Sequence, residues 1–222
     1  MSTSWSLKDL RNHILWKLNK DQYLLDLLNS VGRGVEIFNY HYFNAKESMD
    51  DFISEDDRAS LLNIRRILGV SDSDSDFQIA QLENEANTIA AIYTIRSLYD
   101  QFSQLVRALL GLNELTESQC SIHKVRDKLE LGELRSAIDY ILISEGFKYI
   151  NAFVNVTKHR SLVKYGALVD FENDRSGIKF NEFKYNKNTY PARWSNEVLR
   201  DLMETKNEIV NAGNILNKLL LE

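Results

Sequence analysis

The stretch FKYINAFVNVTKHRSLVKY, residues 147–165, decides the fold class of this 222-residue chain. Placed at about 100° per residue, as in an α-helix, its apolar residues occupy two sides. Between these sides runs a polar line of Asn151, Asn155 and Lys158, with His159 at its edge. A helix with two apolar sides is typically central in a bundle. Its polar line therefore needs partners or an open cleft, because unpaired buried polar groups are costly.

A second long helix is predicted over residues 77–112. Its apolar residues cover a broad arc, and a narrow polar line contains Arg96, Asp100, Ser103 and Arg107. Arg96 and Asp100 are spaced i, i+4, which places them close enough to pair. The two long helices are predicted to be the central pair of the fold.

The polar lines of these two helices form the candidate site. If the helices pack antiparallel, Arg96 and Asp100 meet Asn155, Lys158 and His159. In this hypothesis His159 is a general acid or base oriented by Asp100, and Lys158 and Arg96 hold a phosphate. Further ligand contacts are assigned to Asn151, Asn155, Arg107 and Arg160. The alternative, which the sequence favours, is a structural network that joins the two helices.

Composition limits the function classes. The single proline, Pro191, favours long helices and short connections. A net charge of −5 argues against a general nucleic-acid coat, although a local basic face can exist within an acidic total. The single cysteine, Cys120, excludes an intrachain disulfide and is typical of a reducing compartment. With no recognisable signal peptide or membrane span, a cytoplasmic protein without membrane contact is predicted.

The remaining helices follow from apolar spacing and end signals. A first helix is predicted from Ser4 or Ser6 to about Asn29, with Gly32 and Gly34 ending it. Further helices are predicted over the aromatic-rich residues 35–53, over 54–69 with Ser54 and Asp57 at capping-box spacing, from about 118 to 129, and over 133–142 after a break at Gly132.

The pattern changes after Gly166, where apolar or aromatic residues alternate with polar ones. This alternation predicts a small β-hairpin insertion over residues 166–194, before a final helix capped by Ser195. The hairpin is aromatic and basic, with Lys179, Lys184, Tyr185, Lys187, Tyr190, Arg193 and Trp194. Such a surface can bind nucleic acid or a protein, and the competing interpretation is a core cover or a dimer edge.

No metal site or cofactor is predicted. Asp72, Asp74 and Asp76 resemble part of a calcium loop, but Phe77 stands where that loop needs glycine. The favoured interpretation is a solvated loop whose last aspartate caps the next helix. The remaining candidate ligands, His13, His41, His123 and Cys120, show no zinc spacing.

The segments IRSLYDQFSQLV, residues 95–106, and YINAFVNVTKHRSLV, residues 149–163, resemble uncharacterised bacterial all-helical proteins. More distantly, they resemble the HEPN superfamily of helical bundles. That resemblance implies an RNA-cleaving toxin or defence factor. The usual signature of the superfamily is an arginine, four to six residues and a histidine on one helix. No arginine precedes His159 at this spacing, so the ribonuclease activity does not carry over.

Together these patterns predict a mainly α, single-domain helical bundle over residues 1–222, with six or seven helices and the inserted hairpin. The predicted function is non-enzymatic binding of a protein partner or of a second copy of the chain. The alternative is a HEPN-like nuclease or phosphate-ligand hydrolase acting on RNA or a nucleotide.

Overall fold

The computed structural model describes residues 4–50, 52–53, 61–69, 74–173 and 175–221. Within these residues the fold is mainly α, with strands just before the last helix, which confirms the predicted fold class. The α-helices are α1 (Leu7–Lys17), α2 (Gln22–Glu47), α3 (Leu61–Ile67), α4 (Asp74–Leu109), α5 (Ile122–Lys128), α6 (Glu133–Ile143), α7 (Glu145–His159) and α8 (Ser195–Leu221). Among the described residues this makes eight α-helices rather than six or seven.

Contacts divide the chain into two compact units. Unit 1 comprises Met1–Ile37, Thr94–Ile150 and Leu202–Glu222. Unit 2 comprises Phe38–Tyr93 and Asn151–Asp201. Each boundary falls inside a helix, so α2, α4, α7 and α8 all contribute residues to both units.

The first predicted helix is in fact two helices. α1 ends at Lys17, and the chain turns through Asn19 and Lys20, whose φ angles of 54° and 58° lie in the left-handed region. α2 then begins at Gln22. Leucines at helical spacing occur both before and after the turn. The apolar pattern therefore looks continuous and did not reveal the break.

The prediction that Gly32 and Gly34 end a helix is wrong, since α2 runs through both to Glu47. A Cβ at position 34 would lie 2.7 Å from Leu98 Cδ2 and 2.8 Å from Gln101 Oε1. Glycine is therefore needed here for the close approach of α4 within unit 1, not for a left-handed helix end. The helix predicted over residues 35–53 is confirmed as part of α2 as far as Glu47, and residues 48–50 and 52 after it form turns.

The interior of unit 1 is built from helix-to-helix contacts. Tyr99 and Phe147 pack edge to face with ring centroids 4.8 Å apart, and Trp5 packs on Phe102 at 5.8 Å. Fully buried aliphatic residues of the same unit complete its interior: Leu10, Ile14, Val31, Ile95, Leu98, Leu105, Ile138, Ile141 and Leu216 lie in the core. Burial of such side chains is the main stabilising contribution to this unit.

Helix α7 is shorter than predicted. It ends at His159, where the backbone N–H groups of Arg160 and Ser161 both donate to the carbonyl of Val156. The predicted continuation to residue 165 is wrong, because Tyr165 is the first residue of a strand. Val163 stands seven residues after Val156, a helical spacing that disguised the end of the helix.

The strands of unit 2 confirm the predicted hairpin region and extend it. β1 (Tyr165–Asp170), β2 (Arg175–Phe180) and β5 (Arg193–Trp194) form an antiparallel sheet in the order β1-β2-β5. β3 (Phe183–Tyr185) and β4 (Asn188–Tyr190) form a separate hairpin, with Asn186 at a φ of 54° in its turn. Phe180 packs edge to face on Phe153 of α7, so the sheet covers an apolar face of that helix.

Shorter segments match the prediction to different degrees. The break at Gly132 before α6 is confirmed. The helix expected from about 118 divides into a 3₁₀ helix, Glu117–Gln119, and α5. α4 begins at Asp74, so Asp74 and Asp76 are helical rather than part of a loop. Asp72, Ser54 and Asp57 lie outside the described residues.

Candidate functional site

Arg96 and Asp100 lie on α4 in unit 1 and pair with each other. Arg96 Nη1 is 2.7 Å from Asp100 Oδ2, as the i, i+4 spacing predicts. Both side chains are partly exposed to solvent. This arrangement is an ordinary surface helix pair, which contributes a few tenths of a kcal/mol to roughly 1 kcal/mol.

Arg107, also in unit 1, is an anchor for surrounding backbone and side chains. Its Nη2 donates to the hydroxyl of Tyr23 over 2.6 Å, and its Nη1 donates to the carbonyl of Leu115 over 3.3 Å. Its Nε donates to Gln104, and the guanidinium lies 3.6 Å from the Glu117 carboxylate. These contacts join α4 to the start of α2 and to the loop before α5, so the structural interpretation accounts for this residue.

The two asparagines of α7 are linked to each other within their own helix. Asn155 Nδ2 donates to the carbonyl of Asn151 over 2.7 Å. The neighbouring Thr157 hydroxyl contacts the carbonyl of Phe153 at 2.9 Å and the hydroxyl of Tyr93 at 2.7 Å. Thr157, which stands beside the predicted polar line, therefore joins α7 to α4 within unit 2.

Lys158 and His159 lie exposed at the end of α7 and have no hydrogen-bond or ion-pair partner among the described residues of unit 2. Arg160 follows them and donates through Nη1 to the carbonyl of Lys184 over 3.0 Å. Its guanidinium also lies 5.9 Å from the ring centroid of Tyr185. The end of α7 and the β3–β4 hairpin thus meet at one surface.

The predicted site residues are therefore divided between the units. Arg96, Asp100 and Arg107 belong to unit 1, and Asn151, Asn155, Lys158, His159 and Arg160 belong to unit 2. The hypothesis that Asp100 orients His159 stays a prediction.

A buried polar centre in unit 2 was missed by the sequence reasoning. Asn84 Nδ2 donates to the carbonyl of Ala45 and to Ser48 Oγ, and its Oδ1 accepts from Ser195 Oγ at 2.8 Å and from the Tyr165 hydroxyl. All four hydrogen-bonding positions of the carboxamide are filled. Burial raises the pKa of Tyr165, so its hydroxyl keeps the proton that it donates. The centre joins α2, α4, β1 and α8.

The prediction that the Ser195 side chain caps the last helix is wrong. The Ser195 hydroxyl donates to Asn84, and it is the Glu197 carboxylate that accepts the Trp194 backbone N–H over 3.1 Å. Asn84 could have been recognised from its helical spacing with Phe77, Ala80 and Ala91, which places an amide on the buried face of α4.

Unit 1 contains an open cavity of about 660 Å³, here called the leucine groove. It is lined by Leu110, Leu112, Lys128, Leu129, Glu130, Leu131, Gly132, Glu133, Leu134, Arg135, Ile215, Lys218 and Leu219. Leu131 is 89% exposed and Leu219 is 58% exposed, so apolar surface at the groove faces solvent. Volumes of 300–1,000 Å³ are typical of binding pockets.

Four of the charged side chains at the leucine groove, Lys128, Glu133, Arg135 and Lys218, have partners. Lys218 lies 3.2 Å from Glu133, and Lys128 pairs with Glu114. A hydrogen bond and the positive charge from Lys128 lower the pKa of Glu114. Arg135 Nη1 donates to the carbonyl of Leu129 over 3.0 Å. The groove therefore combines an apolar lining with a rim of paired charges of both signs.

A second cavity of unit 1, of about 370 Å³, lies between α6 and α8. Its lining is Ala137, Tyr140, Glu204, Asn207, Glu208 and Asn211. Burial, with a smaller contribution from the nearby Glu204 charge, raises the pKa of Glu208 to about 7, against the lowering effect of a hydrogen bond with Ser144. Glu208 Oε2 and Asn207 Oδ1 are buried without a hydrogen-bond partner among the described residues.

Within the described part of the chain, no three His, Cys, Asp or Glu side chains are grouped as a metal ion requires. In the same residues, no helix has the length and hydropathy needed to cross a membrane. Comparison with protein-family models, with curated proteins and with solved structures finds no match to this chain.

Proposed function

We propose that this chain is a non-enzymatic binding protein, and that the leucine groove of unit 1 holds the apolar face of an amphipathic helix from a partner protein. The observation that carries the proposal is the groove itself, whose lining includes leucines that remain largely exposed. Contiguous exposed apolar surface bordered by polar residues is typical of an interaction site.

A helix is a better match for this groove than a compact small molecule. The groove is open to solvent, and two of its lining residues, Leu131 and Leu219, are exposed. A helix that places apolar side chains at i, i+3, i+4 and i+7 can cover such an exposed apolar surface. The Lys218–Glu133 pair at the rim offers charges of both signs to the polar flanks of that helix.

The charges around the groove favour binding over catalysis. General acid–base chemistry needs titratable groups positioned at the reacting atoms. Here Lys128 and Lys218 are held in ion pairs with Glu114 and Glu133. Because these lysines are engaged in ion pairs, the leucines are the main groups available to contact a ligand.

The test uses a fluorescein-labelled synthetic helix of about 18 residues, with leucine at i, i+3, i+4 and i+7 and with Glu, Lys and Gln elsewhere. Fluorescence anisotropy measures its binding to the wild type and to Leu131→Asp/Leu219→Asp. Each buried leucine contributes about 1.5–3 kcal/mol, so the groove variant should bind at least about tenfold more weakly. The matched control, Leu61→Asp/Leu82→Asp, changes two equally exposed leucines of unit 2 and should bind like the wild type.

Two results would contradict the proposal. Equal weakening by both variants would mean that the probe adheres to any apolar surface. If the wild type sediments as a dimer and the groove variant as a monomer, the occupant is a second copy of the chain and not a partner helix.

A further inference from the structure

Unit 2 carries a basic surface although the whole chain has a net charge of −5. The basic surface consists of the exposed side chains Lys158, His159, Arg160, Lys164, Lys184 and Lys187. They come from two segments, residues 158–169 and 181–190, which together hold five Lys or Arg and one acidic residue, Glu182. The surface is therefore opposite in sign to the rest of the protein.

Contacts within unit 2 hold these two segments together. Arg160 of the first segment donates to the carbonyl of Lys184 in the second over 3.0 Å. The backbone N–H of Asn181 donates to the carbonyl of Lys164 over 2.8 Å. Phe183 packs edge to face on Phe153 of α7 with centroids 5.8 Å apart, which fixes the β3–β4 hairpin on the helix. The two segments that carry the basic side chains are thus preformed and lie next to each other.

The lysines of this surface are not neutralised by the protein. Among the described residues, Lys158, Lys164, Lys184 and Lys187 form no ion pair, unlike Lys128 and Lys218 at the leucine groove. Unpaired, clustered cations repel each other, so their accumulation on one surface favours an anionic ligand that relieves the repulsion.

We propose that the basic surface binds the phosphate backbone of single-stranded nucleic acid. Several Lys and Arg contacts to phosphates release condensed counterions, which drives such binding. The hairpin also presents exposed Asn186, Asn188 and Thr189 as hydrogen-bonding groups and the partly exposed Tyr185 as a ring on which a base can stack. This inference is independent of the leucine groove and of the partner proposed for it.

The polar character of the hairpin tip favours nucleic acid over an anionic membrane. Asn186 and Lys187 form the tip, and no apolar side chain stands there to enter a lipid interface; in the first segment Leu162 is an exposed leucine beside the basic residues. Stable attachment to a membrane usually combines positive charge with inserted apolar residues.

The experiment measures the binding of fluorescein-labelled oligouridylate of about 20 nucleotides by anisotropy, between about 50 and 200 mM KCl. The test variant is Lys158→Gln/Lys184→Gln/Lys187→Gln. The matched control is Lys8→Gln/Lys17→Gln/Lys46→Gln, which removes three exposed lysines elsewhere and changes the net charge equally. Circular dichroism melting confirms that both variants are folded.

The test variant is expected to bind at least about tenfold more weakly at about 100 mM KCl, and its salt slope should fall by about 2, since each phosphate contact contributes about 0.7. The control should remain within about twofold of the wild type. Equal losses in both variants, an unchanged salt slope, or no binding by the wild type would overturn the proposal. So would wild-type binding to phosphatidylserine vesicles without binding to the oligonucleotide, which would assign the surface to a membrane.

Discussion

In unit 2 the Asn84 carboxamide lies in the interior with all of its hydrogen-bonding positions filled, whereas in unit 1 the Glu208 carboxylate borders a cavity with one buried oxygen unpaired. The first arrangement holds four elements in a fixed relation. The second keeps a polar group available at the cost of its desolvation. The buried polar group of unit 2 therefore stabilises the structure, whereas that of unit 1 keeps an unpaired oxygen beside a cavity.

The lysines at the two surfaces differ in the opposite way to the buried polar groups of the two units. At the leucine groove of unit 1 the lysines are paired, and at the basic surface of unit 2 they are not. The two units thus expose different groups to solvent: apolar side chains in unit 1 and, among the described residues of unit 2, cationic side chains without ion pairs. A protein with two such surfaces can bind two ligands of different class.

The largest expected effect comes from removing the polar centre of unit 2. Asn84→Leu keeps the side-chain volume but leaves the hydroxyls of Tyr165 and Ser195 without their acceptor. We expect the free energy of unfolding to fall by about 3 kcal/mol, since each buried unsatisfied group costs about 1–3 kcal/mol. Urea denaturation measures it. Asn87→Leu, on the same helix but partly exposed, should cost about 1 kcal/mol or less. Equal losses would mean that the buried polar centre contributes no more to stability than a partly exposed amide on the same helix.

The packing of unit 1 is tested by Gly213→Ala. A Cβ at this position would overlap the ring of Trp5, which must then leave its place against Phe102. We expect a net loss of about 1–2 kcal/mol, because overpacking outweighs the better helix propensity of alanine. Thermal unfolding followed by circular dichroism measures the change. Gly166→Ala is the control, since a Cβ there meets no atom within 4 Å, and it should leave stability unchanged.

The unpaired carboxylate of unit 1 predicts a pH dependence. The pKa of Glu208 is about 7 in the folded chain against 4.5 for the free group, so folding favours the protonated form. Its contribution to stability is complete below about pH 4.5 and is lost as the pH rises through 7. Partial exposure screens the effect, and we expect about 1 kcal/mol.

Urea denaturation between these pH values compares the wild type with Glu208→Gln. The variant cannot ionise at this position, so its stability should vary less with pH. Glu47→Gln, at an exposed position of α2, should retain the wild-type profile. An identical profile for Glu208→Gln would mean that the carboxylate is as well solvated as a surface group.

The smallest expected effect belongs to the predicted catalytic set. Asp100→Asn removes the surface pair with Arg96 and should cost about 0.5 kcal/mol in urea denaturation. Glu36→Gln breaks the more exposed Arg33–Glu36 pair and should cost no more. A loss above about 2 kcal/mol for Asp100→Asn alone would show that this carboxylate supports more than its own helix.

The fold class and several boundaries could be predicted because they depend on local patterns. Apolar spacing, the break at Gly132 and the alternation after Gly166 each act within one element. Gly34 was misinterpreted because glycine serves two purposes, helix termination and close approach, and only the position of α4 decides between them.

The binding surfaces depend on contacts between distant residues. The leucine groove collects its lining from residues 110–135 and 215–219, so no single window of sequence contains it. The sequence predicted only part of the basic surface, namely the lysines of the hairpin. Their union with Lys158 and His159 required the Arg160–Lys184 bond.

The first and last helices are bonded to each other within unit 1. Trp5 Nε1 donates to Asn217 Oδ1 over 2.9 Å, and Asn217 Nδ2 donates to the carbonyl of Ser6 over 2.8 Å. During synthesis the chain emerges from the ribosome in order. The bond between Trp5 and Asn217 therefore cannot form until more than two hundred later residues have been made. Until then the apolar face of α1 lacks its final packing, and such transiently exposed apolar surface favours aggregation.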